Sequence, residues 1–301
     1  MTPNQTESLR ALPAVGELLE LDAVAQWCEE RPRAAVVHAL RCAVEQLRAR
    51  ILDNGDVATA CDTEDVLELA RGIMTREATP SLRRVINATG VVLHTGLGRA
   101  PLCAEAIQAI VDGAAGYSNL EYDLETGARG RRVAHVTDLL CRLTGAEAAT
   151  VVNNNAAAMV LIMRALCCDR EVIVSRGQLV EIGGSFRMPD VMAAGGAILK
   201  EVGTTNRTRV ADYQTAINEN TAALLRVHSS NYRIVGFAEE TSIGEIADCA
   251  HRHNVIAIDD LGSGAMFDLA SLGLPSEPYI EQSLAAGVDL VCFSGDKLLG
   301  G

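Results

Sequence analysis

The chain has 301 residues, enough for one large or two ordinary domains, and 49% of them are hydrophobic. Only 3% are aromatic, so the core must be aliphatic, as is typical of parallel α/β sheets. The net charge of −13 argues against non-specific nucleic-acid binding by the whole surface. No apolar run reaches the roughly 18 residues of a membrane span, and the N-terminus lacks the pattern of a secretory signal. Nine cysteines without a CxxC pair predict free thiols in a reducing cytoplasm and no metal site.

The first 80 or so residues predict helices and contain no convincing strand. Apolar residues recur at three-to-four spacing over 18–30 and 33–52, and a further helix is predicted from Thr63, a candidate N-cap. Thr79-Pro80 is typical of a boundary. The sequence therefore predicts a helical domain over residues 1–80 and a second domain over residues 81–301.

From Val85 onward, strands, glycine-containing loops and helices alternate. The predicted strands are 149–152, 171–174, 197–202, 222–227, 255–258 and 288–293. The predicted helices between them are 156–166, 210–218 and 243–253. This alternation predicts an α/β fold with a mainly parallel, doubly wound sheet.

A lysine, Lys297, follows the last predicted strand in the string Ser-Gly-Asp-Lys-Leu-Leu. Pyridoxal phosphate (PLP) enzymes of the aspartate-aminotransferase class carry their Schiff-base lysine at such a position. Lysine suits this task because its amine condenses with aldehydes and its pKa falls readily in a confined site. A solvated surface lysine is the alternative.

Two further polar segments come directly after predicted strands. Asn154 and Asn155 lie where a strand gives way to a helix, and a helix N-terminus with amide donors suits the phosphate of PLP. Ser229, Ser230 and Asn231 follow the 222–227 strand, where Asn231 could bind the cofactor's phenolic oxygen and Ser229 or Ser230 could line the pocket. The alternatives are an ordinary asparagine cap and turn-forming residues.

Two acids, Asp259 and Asp260, follow the 255–258 strand. An aspartate facing the pyridine nitrogen would keep that nitrogen protonated and make the ring an electron sink. Asp260 fits the usual pattern better, but the sequence leaves the choice between the two open. All of these segments leave the carboxyl ends of strands in one sheet, where open α/β folds bind ligands.

At this point the chain resembles the bacterial selenocysteine synthases, the L-seryl-tRNA(Sec) selenium transferases. The resemblance covers roughly residues 80–301 and rests on long strings: RVINATGVVLHTGLGRAP from Arg84, YSNLEYDLETGARGRR from Tyr117, NNNA from Asn153, RGQLVEIGGSFR from Arg176, EVGTTN from Glu201, DLGSG from Asp260 and GDKLLGG from Gly295. Strings of this length are far more specific than a short motif. Residues 9–19 also look like the family's N-terminal segment. Gly96 and Gln178 depart from the family pattern, which usually has Asn and Glu there.

The resemblance implies a PLP-dependent transferase of fold type I with PLP on Lys297, and a cytoplasmic homo-oligomer whose active sites form between subunits. It implies that the helical domain holds serine-charged tRNA(Sec). It also implies that Arg99 binds the phosphate part of selenophosphate, for which a planar guanidinium is suited, and that Asp296 assists. The implied reaction converts seryl-tRNA(Sec) to selenocysteinyl-tRNA(Sec) by β-elimination of water to an aminoacrylyl intermediate, followed by selenium addition.

The resemblance further implies a C-terminal small domain that these 301 residues do not include, so we expect the chain to be a fragment. Two alternatives remain at this stage. One is a PLP-dependent lyase or aldolase acting on a small amino acid or amino sugar, which would not need the helical domain. The other is an inactive truncated remnant.

Overall fold

The computed structural model describes residues 3–53, 62–182, 184 and 186–299. The chain divides into two compact units, residues 1–86 and residues 87–301. The boundary predicted between residues 80 and 81 lies inside the first unit, six residues before its end. None of the described helices has the length and apolar content needed to cross a membrane.

The first unit is helical, as its apolar periodicity predicts. Its helices are α1 (Pro3–Ala11), α2 (Val15–Leu19), α3 (Asp22–Glu30), α4 (Arg33–Asp53) and α5 (Thr63–Ala78). The single helix predicted over 18–30 is therefore two helices. The predicted cap Thr63 is also wrong: Asp62 caps α5, because its carboxylate accepts from the backbone N–H of Asp65 at 3.0 Å. Aliphatic side chains from α2 to α5 form the core around Trp27.

The second unit begins with two helices and continues as an α/β layer structure. In chain order its elements are α6 (Ala104–Ala114), α7 (Ala134–Thr144), α8 (Asn155–Leu166), β1 (Glu171–Ser175), β2 (Glu181–Ile182), β3 (Phe186–Arg187), α9 (Met188–Ala194), β4 (Ile198–Val202), α10 (Val210–Ala216), β5 (Thr221–Val227), α11 (Ile243–Arg252), β6 (Ile256–Gly262), α12 (Ile280–Ala285), β7 (Leu290–Phe293) and α13 (Gly295–Leu298). The predicted α/β alternation is confirmed from α8 onward.

The central sheet has five strands in the order β4-β1-β5-β6-β7, and each neighbouring pair is parallel. Strands β2 and β3 form a separate antiparallel pair. Alternate side chains of the central strands enter two apolar clusters, one shared with α8 and α9 and the other with α10 and α11. Helices therefore cover both faces, which confirms the doubly wound prediction.

The strand predicted over 149–152 is wrong. These residues are irregular, and the carbonyl of Ala149 accepts from the Thr137 hydroxyl of α7 at 3.2 Å rather than from a neighbouring strand. Val151 is 52% exposed, so the apolar pair at 151–152 does not mark a buried strand here. The segment instead leads directly into Asn154, the cap of α8.

Candidate functional site

The carboxyl ends of β5, β6 and β7 are level with one another. Val227 pairs with Asp260 across β5 and β6, and Asp260 pairs with Cys292 across β6 and β7. The segments that follow these strands therefore leave the sheet at one edge. This is the edge at which parallel α/β sheets bind ligands.

Asp259 and Asp260 face opposite sides of the sheet, because side chains alternate along a strand. Asp259 is fully buried and forms a two-bond ion pair with Arg226 of β5, with N···O distances of 2.7 and 2.6 Å. The hydroxyl of Ser283 in α12 donates to the same carboxylate at 2.6 Å. Asp259 is thus part of the core on the face that α12 covers, whereas Asp260 faces α8.

Asp260 is 3% exposed, and two side-chain donors reach its Oδ1. Asn155 Nδ2 at the start of α8 donates at 2.7 Å, and the Cys292 thiol lies at 3.6 Å. Burial raises the pKa of Asp260 to about 6, and the nearby charge of Asp259 adds to this, while the bonds from Asn155, Cys292 and the Gly262 backbone oppose it. A buried carboxyl with this proton affinity can share a proton with a basic ligand atom near neutral pH.

Lys297 is half-buried in α13, directly after β7. Its Nζ lies 3.5 Å from the carbonyl oxygen of Gly262, at the end of β6. Burial and the positive charge of Arg99 lower the pKa of Lys297, and the carboxylates of Asp296 and Asp260 partly offset this. The lowered pKa increases the fraction of neutral, nucleophilic amine at neutral pH.

Arg99 and Asp296 form an ion pair beside this lysine, with an N···O distance of 2.6 Å. Both side chains remain partly exposed, at 36% and 44%. Arg99 has a left-handed backbone (φ 64°), and its N–H donates to the carbonyl of His94 at 3.1 Å, which closes the turn over residues 94–99. The turn therefore directs a guanidinium to the same edge of the sheet.

The two predicted asparagines at α8 have different surroundings. Asn154 caps the helix, because its Oδ1 accepts from the backbone N–H of Ala157 at 2.9 Å. Asn155 directs its amide to Asp260 instead. At the N-terminus of α8, one asparagine therefore caps the helix and the next contacts Asp260. The free backbone N–H groups of a helix N-terminus also favour an anion.

Among the described contacts, no side-chain hydrogen bond joins Ser229 or Asn231 to Asp260 or Lys297. The Asn231 amide donates to the carbonyl of Glu181 in β2 at 3.1 Å, and Ser229 is partly exposed just beyond β5. His228 does reach the site's framework: its Nδ1 lies 2.7 Å from the carbonyl of Ser263. The roles predicted for Asn231 and Ser229 stay predictions.

The second unit matches a known family along its whole length. The sequence profile described as L-seryl-tRNA selenium transferase matches residues 85–301, and a second, described as selenocysteine synthase N terminal, matches residues 9–48. The chain belongs to the L-seryl-tRNA(Sec) selenium transferase family. The resemblance noted from the sequence is therefore confirmed.

Curated members of this family are close relatives over nearly the whole chain. The L-seryl-tRNA(Sec) selenium transferase of Carboxydothermus hydrogenoformans is 50% identical over 97% of this chain and 63% of its own length. That of Clostridium botulinum (strain Loch Maree) is 48% identical over 99% of this chain and 64% of its own. The chain thus spans a little under two thirds of the length of these transferases.

A solved structure shares the fold over two thirds of this chain. The D-glucosaminate-6-phosphate ammonia-lyase structure superposes with a TM-score of 0.54 and 24% identity, over 67% of this chain and 52% of the lyase chain. Together with family membership, this assigns the chain to the fold type I architecture predicted from its sequence.

The site offers what the expected cofactor of a selenium transferase would need. Family and fold support pyridoxal phosphate as that cofactor. Among the described residues, three buried polar atoms lack a hydrogen-bond partner: Asn155 Oδ1, Arg99 Nε and His94 Nδ1. One of these atoms lies beside Asp260 and another on the arginine next to Lys297. Unsatisfied buried groups are uncommon in folded proteins and fit a site that is completed by a polar ligand.

Two participants were missed by the sequence analysis of this transferase family member. Cys292 lies opposite Asp260, and the Gly262 carbonyl faces Lys297. Gly262 has a left-handed backbone (φ 54°), and the pairing of β6 with β7 shifts register there. Gly262, two residues after Asp260, indicates a turn in the sequence. The position of Cys292 opposite Asp260 follows only from the pairing register of β6 and β7, which the sequence does not reveal.

Proposed function

We propose that this chain carries the cofactor site of an L-seryl-tRNA(Sec) selenium transferase, which uses selenophosphate to convert seryl-tRNA(Sec) into selenocysteinyl-tRNA(Sec). The observation that carries the proposal is the meeting of Lys297, Asp260 and the Arg99–Asp296 pair at one edge of the sheet in a chain of this family. Each group has a task in that reaction.

Lys297 would hold the cofactor covalently through Nζ. Its lowered pKa favours the neutral amine, which is the form that attacks an aldehyde. Once the substrate's amine has replaced it, the same Nζ would serve as a base for the proton on the seryl α-carbon.

Asp260 would face the ring nitrogen of pyridoxal phosphate. When bound, this cofactor withdraws electrons from the substrate's α-carbon and so assists loss of the β-hydroxyl group. Asp260 would keep the nitrogen protonated, because a carboxylate next to a positive charge is stabilised even where burial penalises it alone. The N-terminus of α8, with Asn154 and Asn155, would receive the phosphate group.

Arg99 would bind the phosphate portion of selenophosphate. A guanidinium forms paired hydrogen bonds with phosphate oxygens, and in this chain it is held by Asp296, the residue next to Lys297. An incoming anion would compete with Asp296 for Arg99, which would release the carboxylate to move protons near the selenium donor.

The helical first unit would bind the tRNA, despite the chain's net negative charge. Three exposed arginines of α4, namely Arg41, Arg48 and Arg50, could contact phosphates. We further propose that the protein acts in the cytoplasm, where charged tRNA is available, as a homo-oligomer whose active sites lie between subunits.

The cofactor assignment has a direct test, because Lys200 and Lys297 are the only lysines in the chain. The 301-residue chain is mixed with pyridoxal phosphate, its visible absorbance is recorded, and the adduct is fixed with borohydride and mapped by mass spectrometry. We expect the adduct on Lys297, its loss in Lys297→Arg, and its retention in the matched control Lys200→Arg. An adduct that persists in Lys297→Arg would refute the assignment.

The substrate assignment is separated from a small-molecule lyase by tRNA binding. We expect a gel shift with tRNA(Sec) that is weakened when Arg41 and Arg48 are both changed to Glu, and unchanged in Arg142→Glu, an exposed control on α7. Selenium transfer from selenophosphate to seryl-tRNA(Sec) is then measured with the same proteins. Absence of any tRNA binding would favour the lyase.

A further inference from the structure

Cys292 is buried directly behind the aspartate of the proposed site. It lies opposite Asp260 in the pairing of β6 with β7 and is 5% exposed. Its Sγ is 3.6 Å from Asp260 Oδ1 and 3.2 Å from the thioether sulfur of Met159 in α8. The thiol therefore fills the space between the carboxylate and the apolar layer beneath it.

This thiol keeps its proton and has one preferred acceptor. Burial, together with the adjacent negative charge of Asp260, raises the pKa of Cys292 well above its usual value. A single S–H can be donated either to Asp260 or to Met159. Carboxylates are much stronger acceptors than thioethers, so the proton goes to Asp260 whenever that group is ionised.

Asp260 Oδ1 is thus held from two sides. Asn155 Nδ2 approaches it from α8 at 2.7 Å, and Cys292 approaches it from β7. Two donors on one oxygen favour a single rotation of the carboxylate, since turning it would leave the buried Asn155 amide without this acceptor and the Cys292 thiol with only the weaker thioether acceptor of Met159. The second oxygen is then oriented by the protein before any ligand arrives.

We propose that Cys292 is a positioning residue, whose thiol together with Asn155 holds the Asp260 carboxylate in one orientation towards the ring nitrogen of the cofactor. The inference rests on the proposed function for the identity of the ligand. The contact between Cys292 and Asp260 is present whatever the ligand is.

The other charged or titratable groups near Asp260 lie on β6, on α13 and in the segment after β5. Asp259 on the same strand faces the opposite side and is paired with Arg226, and its charge still raises the pKa of Asp260. Lys297 of α13 interacts electrostatically with Asp260, and His228 after β5 is bound to the carbonyl of Ser263. Substitutions at Cys292 leave all of these groups in place.

The test compares Cys292→Ser with Cys292→Ala by following the titration of Asp260 itself. Aspartate labelled with 13C at the side-chain carboxyl is incorporated, and the Asp260 signal is identified by its loss in Asp260→Asn. A hydroxyl donates more strongly than a thiol, and alanine donates nothing. We expect the proton affinity of Asp260 to fall about threefold or more in Cys292→Ser and to rise by a similar factor in Cys292→Ala, each change corresponding to about half a pKa unit.

The same variants are then titrated with pyridoxal phosphate over a range of pH. In each variant, we expect the midpoint of the pH dependence of cofactor affinity to shift in the same direction as the pKa of Asp260. Equal Asp260 midpoints in wild type and Cys292→Ser would overturn the inference, even if the alanine variant failed to fold. Failure of the wild type to bind cofactor would instead refute the proposed function, while the carboxyl titration would still decide whether Cys292 acts on Asp260.

Discussion

Replacing Asp260 by Asn should stabilise the second unit at neutral pH, although it should impair the proposed chemistry. Burial raises the pKa of Asp260 from 3.8 to about 6. At 1.36 kcal/mol per unit, this difference corresponds to about 3 kcal/mol. Because the folded state binds the proton more tightly, the group's stability contribution is complete below about pH 4 and is lost as the pH rises through about 6.

Asparagine is nearly isosteric, and its side-chain oxygen can still accept from Asn155. Without cofactor, we expect Asp260→Asn to match the wild type near pH 4 and to exceed it by up to about 3 kcal/mol at pH 8. The free energy of unfolding is measured by urea denaturation, followed by far-UV circular dichroism, at several pH values.

The chain contains an internal control for this experiment. Trp27 is its only tryptophan and belongs to the first unit, so fluorescence excited in the tryptophan band reports that unit. Its transition should be the same in both proteins, and the exposed control Asp112→Asn should follow the wild type. If the free energy of unfolding of Asp260→Asn fell with rising pH in parallel with that of the wild type, the reasoning from the burial of Asp260 would be refuted.

Three further predictions concern charges and caps elsewhere. Asp296→Asn should lower the pKa of Lys297 further, so that amine-specific labelling of this lysine begins at lower pH; labelling of the chain's other lysine should not change. Arg226→Leu should cost about 3–5 kcal/mol in urea unfolding, because it leaves the fully buried Asp259 carboxylate without its cation; an unchanged midpoint would contradict this. Asp62→Ala should cost about 1 kcal/mol, seen in the tryptophan transition, and Asp62→Asn should recover most of it because it keeps the capping oxygen.

The fold was largely predictable because the strands of the sheet are buried on both faces. Short, mostly apolar runs such as those of β1 and β5 are recognisable in the sequence, and the structure changes one end of each by one residue. Residues 149–152 have the same composition but no neighbouring strand to pair with, and composition does not report pairing. The sequence likewise pointed to Thr63 as the cap of α5, and only the helix geometry shows that Asp62, one residue earlier, takes this role.

The sequence predicted where the residues of the candidate site lie along the chain, but not their contacts. Lys297 and Asp260 each follow a strand, and that placement can be read from the sequence. The choice between Asp259 and Asp260 depends on which face of β6 is covered by which helix. The partnership of Asn155 and Cys292 on Asp260 depends on the register of two strands and the approach of α8, which are tertiary facts.

The adjacent pair Asp259-Asp260 also bears on how errors in folding are avoided. A slip of β6 by one residue would exchange the two acids between the faces of the sheet, yet both are carboxylates and composition alone would hardly oppose the exchange. Arg226 opposes the slip in one direction only, because bringing Ile258 to its pairing position would leave the guanidinium without a carboxylate, whereas bringing Asp260 there would keep an ion pair. In that second direction the native register depends on Asn155, which would lose Asp260 as its acceptor.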